Sequence, residues 1–237
     1  MSSPSKPRIQ TEYLFRDKPC PSGSAWSDDD ALQFDSHGSL LRGQIMWPDA
    51  SFDAPRPCVI LLHGYPGCAR NDDLAHALCR SGCVVLTPHH RGAWGSEGDY
   101  LITNCIEDTV ALVDHVQSPR FCRTYHTDPE CTFLIGHSMG ACTALNASKQ
   151  ISDLAGLVLM TPFDPTRWLR SGETEKLDHL IRQGAFMNKD GFDAICDDLA
   201  SHSDQLAFET CADRLGPLPV LCITGAYDEI EIGRAHV

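Results

Sequence analysis

Apolar residues alternate with polar ones early in the chain, and later gather into short unbroken runs separated by helical patterns. Leu32 and Phe34, then Leu40, Leu41, Gly43 and Ile45, flank Ser36-His37-Gly38-Ser39, which predicts a hairpin. Residues 50–56 form a loop, and 58–62 (CVILL) form a continuous apolar strand that stops at His63-Gly64-Tyr65-Pro66-Gly67. A run without polar interruption implies burial on both faces, as in a parallel sheet. Asn71 is placed as the N-cap of a helix carrying Leu74, Ala75, Leu78 and Cys79 and ending at Gly82. A strand follows over 83–86, then a loop through His89, His90, Arg91 and Trp94, then a helix expected to be capped by Asn104, with Ile106, Val110, Leu112, Val113 and Val116 on one face. Further strands are predicted at 133–135, 157–160 and 220–224, with a helix after the first of these. Strands alternating with helices predict an α/β domain built on a doubly wound, mostly parallel sheet, with its site at the strand C-termini.

Two stretches depart from this alternation. Residues 1–30 are polar and rich in Pro and Ser, ending in Asp28-Asp29-Asp30, and read as a loose leader with at most one edge strand. Residues 163–218 carry no strand signal and read as two or three short amphipathic helices, with Leu177, Leu180 and Ile181 on one and Ala194, Ile195 and Leu199 on another. Lying between a strand end and the next strand, this insertion is either a cap over the site or ordinary surface packing. One domain is therefore expected over 31–231.

Composition narrows the partners. A net charge of −13 argues against nucleic acid or an anionic membrane as partner, since both repel an acidic surface. No run of about 18 apolar residues predicts a membrane span. The first ten residues lack the apolar core of an export signal, so the chain is expected in the cytosol, where its 12 cysteines stay reduced. No C-x-x-C pair occurs, and most cysteines sit in apolar runs where they behave as small hydrophobes. No metal or other cofactor is expected. His89 and His90 lack further ligands at fitting spacing.

The chemistry centres on residues 131–144, CTFLIGHSMGACTA. An apolar strand runs into Gly136-His137-Ser138-Met139-Gly140, and small residues follow. In a G-x-S-x-G turn the serine is forced into a strained conformation at the strand end, and the glycines let helix and strand approach. Composition alone would produce the pentapeptide in roughly one chain in ten of this size. The surrounding strand, helix and loops carry the inference that Ser138 is a nucleophile.

With the H-G-x-P-G loop at 63–67, the R-G-x-W-x-S loop at 91–96 and the elbow at 136–140, the chain resembles the α/β-hydrolase superfamily, and in particular its small esterases and serine aminopeptidase-like hydrolases. The resemblance spans residues 32–230. It implies that Ser138 attacks an acyl carbon of a small-molecule substrate and that the backbone N–H groups of Tyr65 and Met139 hold the oxyanion. It implies that Asp228, in the turn Thr224-Gly225-Ala226-Tyr227-Asp228-Glu229, is the triad acid, with Glu229 the alternative one residue on. By the same likeness His63 props the oxyanion loop with Gly64, His137 packs beside the elbow, Arg91 knits loops together, and Trp94 lines or covers the pocket. The reading is a serine hydrolase cleaving an ester, thioester or small amide through an acyl-enzyme. The alternatives are a non-catalytic binding or regulatory protein of this fold, or an acyltransferase on the same site.

The triad base should follow Asp228 in sequence. Nine residues follow it, and their one histidine, His236, stands in a tail too short to return to Ser138. Residues 232–237 (IGRAHV) are also what the codons ATC GGA AGA GCA CAC GTC encode, a string similar to a sequencing-library adapter. The tail is therefore expected to be foreign, the triad histidine absent, and the last strand and helix of the fold missing. Loss of one triad member costs several orders of magnitude. A p-nitrophenyl ester should accordingly be turned over far below ordinary esterase rates by the chain as written, and a steady-state assay at normal rates, abolished by Ser138→Ala, would contradict this.

Overall fold

The computed structural model describes residues 9–67, 70–211, 215–226 and 228. Their strands are β1 (Asp28–Ser36), β2 (Ser39–Trp47), β3 (Arg56–Leu62), β4 (Val84–Pro88), β5 (Thr127–His137), β6 (Gly156–Met160) and β7 (Val220–Ile223). They form one sheet in the order β1-β2-β4-β3-β5-β6-β7. The hairpin β1/β2 and the β2/β4 pair are antiparallel; β4, β3, β5, β6 and β7 are parallel. The hairpin turns on His37 and Gly38, both at positive φ (51° and 79°), which is the twist a two-residue connection needs.

The apolar runs sort by parity. Cys58, Ile60 and Leu62 of β3 join a core with Val84, Leu86 and Leu134, covered by Leu112, Val113 and Val116 of helix α2 (Ile102–Gln117) and by Leu145 of α4 (Met139–Ser148). Val59 and Leu61 face the opposite core, with Val85, Ile135 and Ala75, Leu78 and Cys79 of α1 (Asp72–Arg80). Every residue of β3 and β4 is buried, because helices cover both faces. Cysteines 58, 79 and 83 lie in these cores as free thiols, and burial raises the pKa of Cys79 to about 11 and of Cys83 to about 12.

Some boundaries differ from the sequence expectation. Asn71 precedes α1 in a left-handed conformation (φ 58°), and its side chain caps nothing. The helix expected to start at Asn104 begins at Ile102, because Leu101 takes the extended N-cap position; Asn104 Nδ2 instead donates to the Asp99 carbonyl at 3.0 Å. An unanticipated α3 (Pro119–Tyr125) follows at once, started by Ser118, whose Oγ accepts from Phe121 N, and by Pro119 in the first turn. β1 starts at Asp28, inside the stretch read as leader. Ahead of it, Ile9 packs on the α1 side of the sheet, Gln10 N donates to Ser81 O at 2.9 Å, and Lys18 Nζ donates to Ser51 O at 2.6 Å.

Between β6 and β7 lie α5 (Pro165–Ser171), α6 (Thr174–Arg182), α7 (Gly191–Ser201) and the short α8 (Ser203–Leu206). Leu177, Ile181, Ile195 and Leu199 are buried as their spacing predicts, in a third cluster with Tyr100, Ile102, Met139 and Phe163. This insertion is thus packed on α2, the start of α4 and the loop after β4. β7 closes the strand order among the described residues, and Val220, Leu221 and Ile223 stay 43–55% exposed. Glu229, His236 and the tail at 232–237 lie outside the described residues.

Arg91 anchors the loop after β4. Its Nε donates to Asp108 Oδ2 at 3.0 Å and its Nη2 to Oδ1, while Ser36 Oγ donates to the same Oδ1 at 2.5 Å. The loop, α2 and β1 therefore meet at one buried carboxylate. Asp108→Ala leaves the guanidinium buried without its partner and should cost about 3–5 kcal/mol, read from urea unfolding midpoints.

Candidate active site

Ser138 joins β5 to α4 with φ 56° and ψ −119°, a conformation L-residues avoid. Its backbone is held on both sides: Ser138 N donates to Met160 O at 3.0 Å, and Ser138 O accepts from Ala141 N (2.9 Å) and Phe163 N (3.3 Å). The glycines explain why the turn fits. A Cβ on Gly140 would lie 2.4 Å from the carbonyl oxygens of both Leu62 and His63, and one on Gly136 would lie 2.3 Å from Gly140 O. Helix, elbow and β3 thus pack backbone to backbone. Gly64 stands directly against the serine, with its Cβ position 3.1 Å from Ser138 Cβ. The loop after β3 and the first turn of α4, which begins at Met139, therefore converge on Ser138, and the leading N–H groups of a helix are its unpaired donors.

Three histidines brace that loop. His90 N donates to His63 Nε2 at 3.1 Å, so the proton of His63 sits on Nδ1, which donates to Gly64 O at 2.7 Å. His90 Nε2 in turn donates to His63 O at 3.2 Å. Burial, and then the neighbouring His90, holds His63 well below its ordinary range; burial takes His90 down to about 4. His89 is fixed the same way: Arg70 Nη1 donates to its Nε2 at 3.2 Å, and its Nδ1 donates to Trp94 O at 2.9 Å. Both ring nitrogens of His63 and of His89, and Nε2 of His90, are thus engaged by the loops. Among the described residues, no group of three His, Cys, Asp or Glu side chains is placed to hold a metal ion.

Trp94, at φ 48°, donates from Nε1 to Pro66 O at 2.9 Å and meets the exposed Phe186 edge to face at 6.1 Å. It is 43% exposed. It ties the loop after β4 to the loop after β3, with the 185–187 turn of the insertion alongside. Asp228 follows β7, its N–H donating to Gly225 O at 3.3 Å. Its charge reaches His137: burial lowers that imidazole's pKa, and Asp228 opposes the shift. The strand that Asp228 follows lies two places from β5 in the sheet order. Sequence reading did not identify the role of the Tyr65 side chain, whose hydroxyl donates to Ile181 O at 2.5 Å, or of Gly184 beneath its ring. Neither has a periodic signal, because both depend on where the insertion lands.

A mostly parallel sheet with a strained serine between strand and helix defines an α/β hydrolase. The Hydrolase_4 family model (serine aminopeptidase, S33) matches residues 53–199, and the chain belongs to that family. It is 32% identical to the monoglyceride lipase of Rattus norvegicus over 111 residues, 46% of this chain and 35% of that protein. It is 27% identical to a lysophosphatidylserine lipase of Danio rerio over 128 residues, 51% of this chain and 32% of that one. The matches span about a third of the length of these relatives. Among solved structures, brefeldin A esterase, a bacterial homologue of human hormone-sensitive lipase, shares the fold with a TM-score of 0.59 at 18% identity, over 91% of this chain and 64% of that one. No helix among the described residues is long and apolar enough to cross a membrane.

The neutral histidines set an acid limit. An unfolded histidine protonates near 6.5, whereas His90 in place resists protonation to about 4. The unfolded chain therefore binds more protons in this window, and stability falls as pH drops from about 6.5 to about 4, then levels for this group. The difference in urea midpoint between the native chain and His90→Gln should shrink between pH 7 and pH 4.

Proposed function

We propose that the chain is the core of a lipase- or esterase-type serine hydrolase, in which Ser138 attacks the carbonyl of a carboxylic ester and forms an acyl-enzyme. The observation that carries this reading is the strained Ser138 at the convergence of the loop after β3 and the start of α4. The N–H groups of Tyr65 and Met139 are assigned to the oxyanion; a preorganised donor of this kind contributes about 3–4 kcal/mol to the transition state. Asp228 is assigned as the acid that would orient and stabilise an imidazolium. His63 and His89 are unsuited as the base, since both ring nitrogens of each already serve the loops, and His90 is buried with its Nε2 donated to His63 O. The base is not assigned among the described residues. The lipase relatives and the exposed aromatic pair Trp94 and Phe186 beside the oxyanion loop favour an ester with an apolar acyl group over an amide.

In a chain extended past Asp228 to supply the triad histidine, a fluorophosphonate probe should phosphonylate Ser138 alone, mapped by peptide mass spectrometry, and Ser138→Ala should abolish labelling without shifting the melting temperature by more than a few degrees. Labelling that persists in Ser138→Ala would overturn the assignment.

A further inference from the structure

Tyr65 belongs to two parts of the molecule at once. Its backbone lies in the loop after β3, and its side chain reaches the insertion. The hydroxyl donates to the carbonyl of Ile181 at 2.5 Å, in the last turn of α6, where helix carbonyls lack intrahelical partners. Ile181 O also accepts from Gly184 N at 3.1 Å, so one acceptor gathers the phenol and the chain leaving the helix. The ring is held by Tyr100, edge to face at 5.1 Å, and by Gly184. A Cβ on residue 184 would lie 2.5 Å from the Tyr65 Cζ, 2.7 Å from its oxygen and 2.8 Å from Met187 Cε, so a side chain there requires the Tyr65 ring and its neighbour to shift.

Tyr100 is fixed to the same segment, with its N–H donating to Met187 O at 3.0 Å and its carbonyl accepting from Asn188 Nδ2 at 3.1 Å. On its inner side Tyr100 meets His90 at 6.1 Å, and His90 meets His63 at 4.4 Å. Packed rings and hydrogen bonds therefore run without a break from residues 181–188 of the insertion to the loop beside Ser138.

We infer that Tyr65 is a positioning residue that couples the insertion to the oxyanion site, its side chain fixing the loop backbone only while residues 181–187 are seated. The catalytic consequence rests on the proposed function, in which the Tyr65 N–H is an oxyanion donor. Such a donor loses its effect when displaced by about 1 Å. Seating of the insertion and formation of the oxyanion site are then one event. A substrate that lifts residues 181–187 deprives Tyr65 of its acceptor and its ring contact together, whereas one that fits beneath them is met by a formed site.

Two variants test the coupling from opposite ends. Tyr65→Phe deletes the hydroxyl and keeps the ring; Gly184→Ala leaves Tyr65 intact and pushes it from its seat. In each, the limiting rate of Ser138 phosphonylation at saturating fluorophosphonate should fall about tenfold or more, with the half-saturating concentration within about twofold. The double variant should fall no further than the worse single one, since both changes act through one contact. Hydrogen exchange, which needs no activity, should accelerate together in residues 63–67 and 177–187 in both single variants. Native phosphonylation rates in Tyr65→Phe, additive losses in the double variant, or exchange rising in one segment without the other would overturn the coupling. If the chain extended to supply the triad histidine is not labelled while exchange rises in both segments, the hydrolase reading fails and the coupling stands. If Ser138 is labelled but the segments exchange independently, the reverse holds.

Discussion

The structure depends on a backbone contact that leaves no room for side chains. The carbonyls of Leu62 and His63 at the end of β3 press against Gly140, and Gly140 presses against Gly136 across the elbow. This packing holds α4 against the sheet centre and compels Ser138 to φ 56°. The strain is held in place by the hydrogen bonds from Ser138 N to Met160 O and from Phe163 N to Ser138 O, which tie the elbow to β6 and the chain after it. A larger residue at 136 or 140 would part helix from strand and release the serine from its pose.

Around that contact the polar groups of the loops are paired locally. The histidines after β3 and β4 exchange hydrogen bonds with backbone atoms of each other's loops, and the Arg91–Asp108 pair binds the second loop to α2 and β1. Burial and then the neighbouring His90 depress the pKa of His63, which favours the neutral ring whose Nε2 accepts from His90 N. The result is a pair of loops cross-linked to each other, with Gly64 of the first standing against Ser138. The insertion adds a less redundant contact through the phenol of Tyr65, one hydroxyl and one glycine wide.

Much of this was legible in the chain. Unbroken runs such as 58–62 announce a strand buried on both faces, and the parity of Val59 and Leu61 against Ile60 and Leu62 divides them between two cores as a sheet requires. The elbow was readable because its glycines answer a steric demand within five residues. Helix starts were less readable. Asn71 and Asn104 have capping chemistry, yet the structure gives one a left-handed backbone and sets the other inside the first turn, while Ser118-Pro119 starts a helix that apolar spacing alone did not reveal.

By itself the sequence determined the sheet class, the two-sided core, the position of Ser138 and the amphipathic faces of the insertion, because periodicity and local sterics act over a few residues. Only the tertiary structure decided which nitrogens of His63, His89 and His90 carry protons, that Asp108 is the partner of Arg91, and that Tyr65 meets Ile181 and Gly184. These are contacts between segments separated by as many as 116 positions, fixed by how the strands are ordered and where the insertion comes to rest. No local pattern encodes them, since each partner is defined by the packing that brings the other to it.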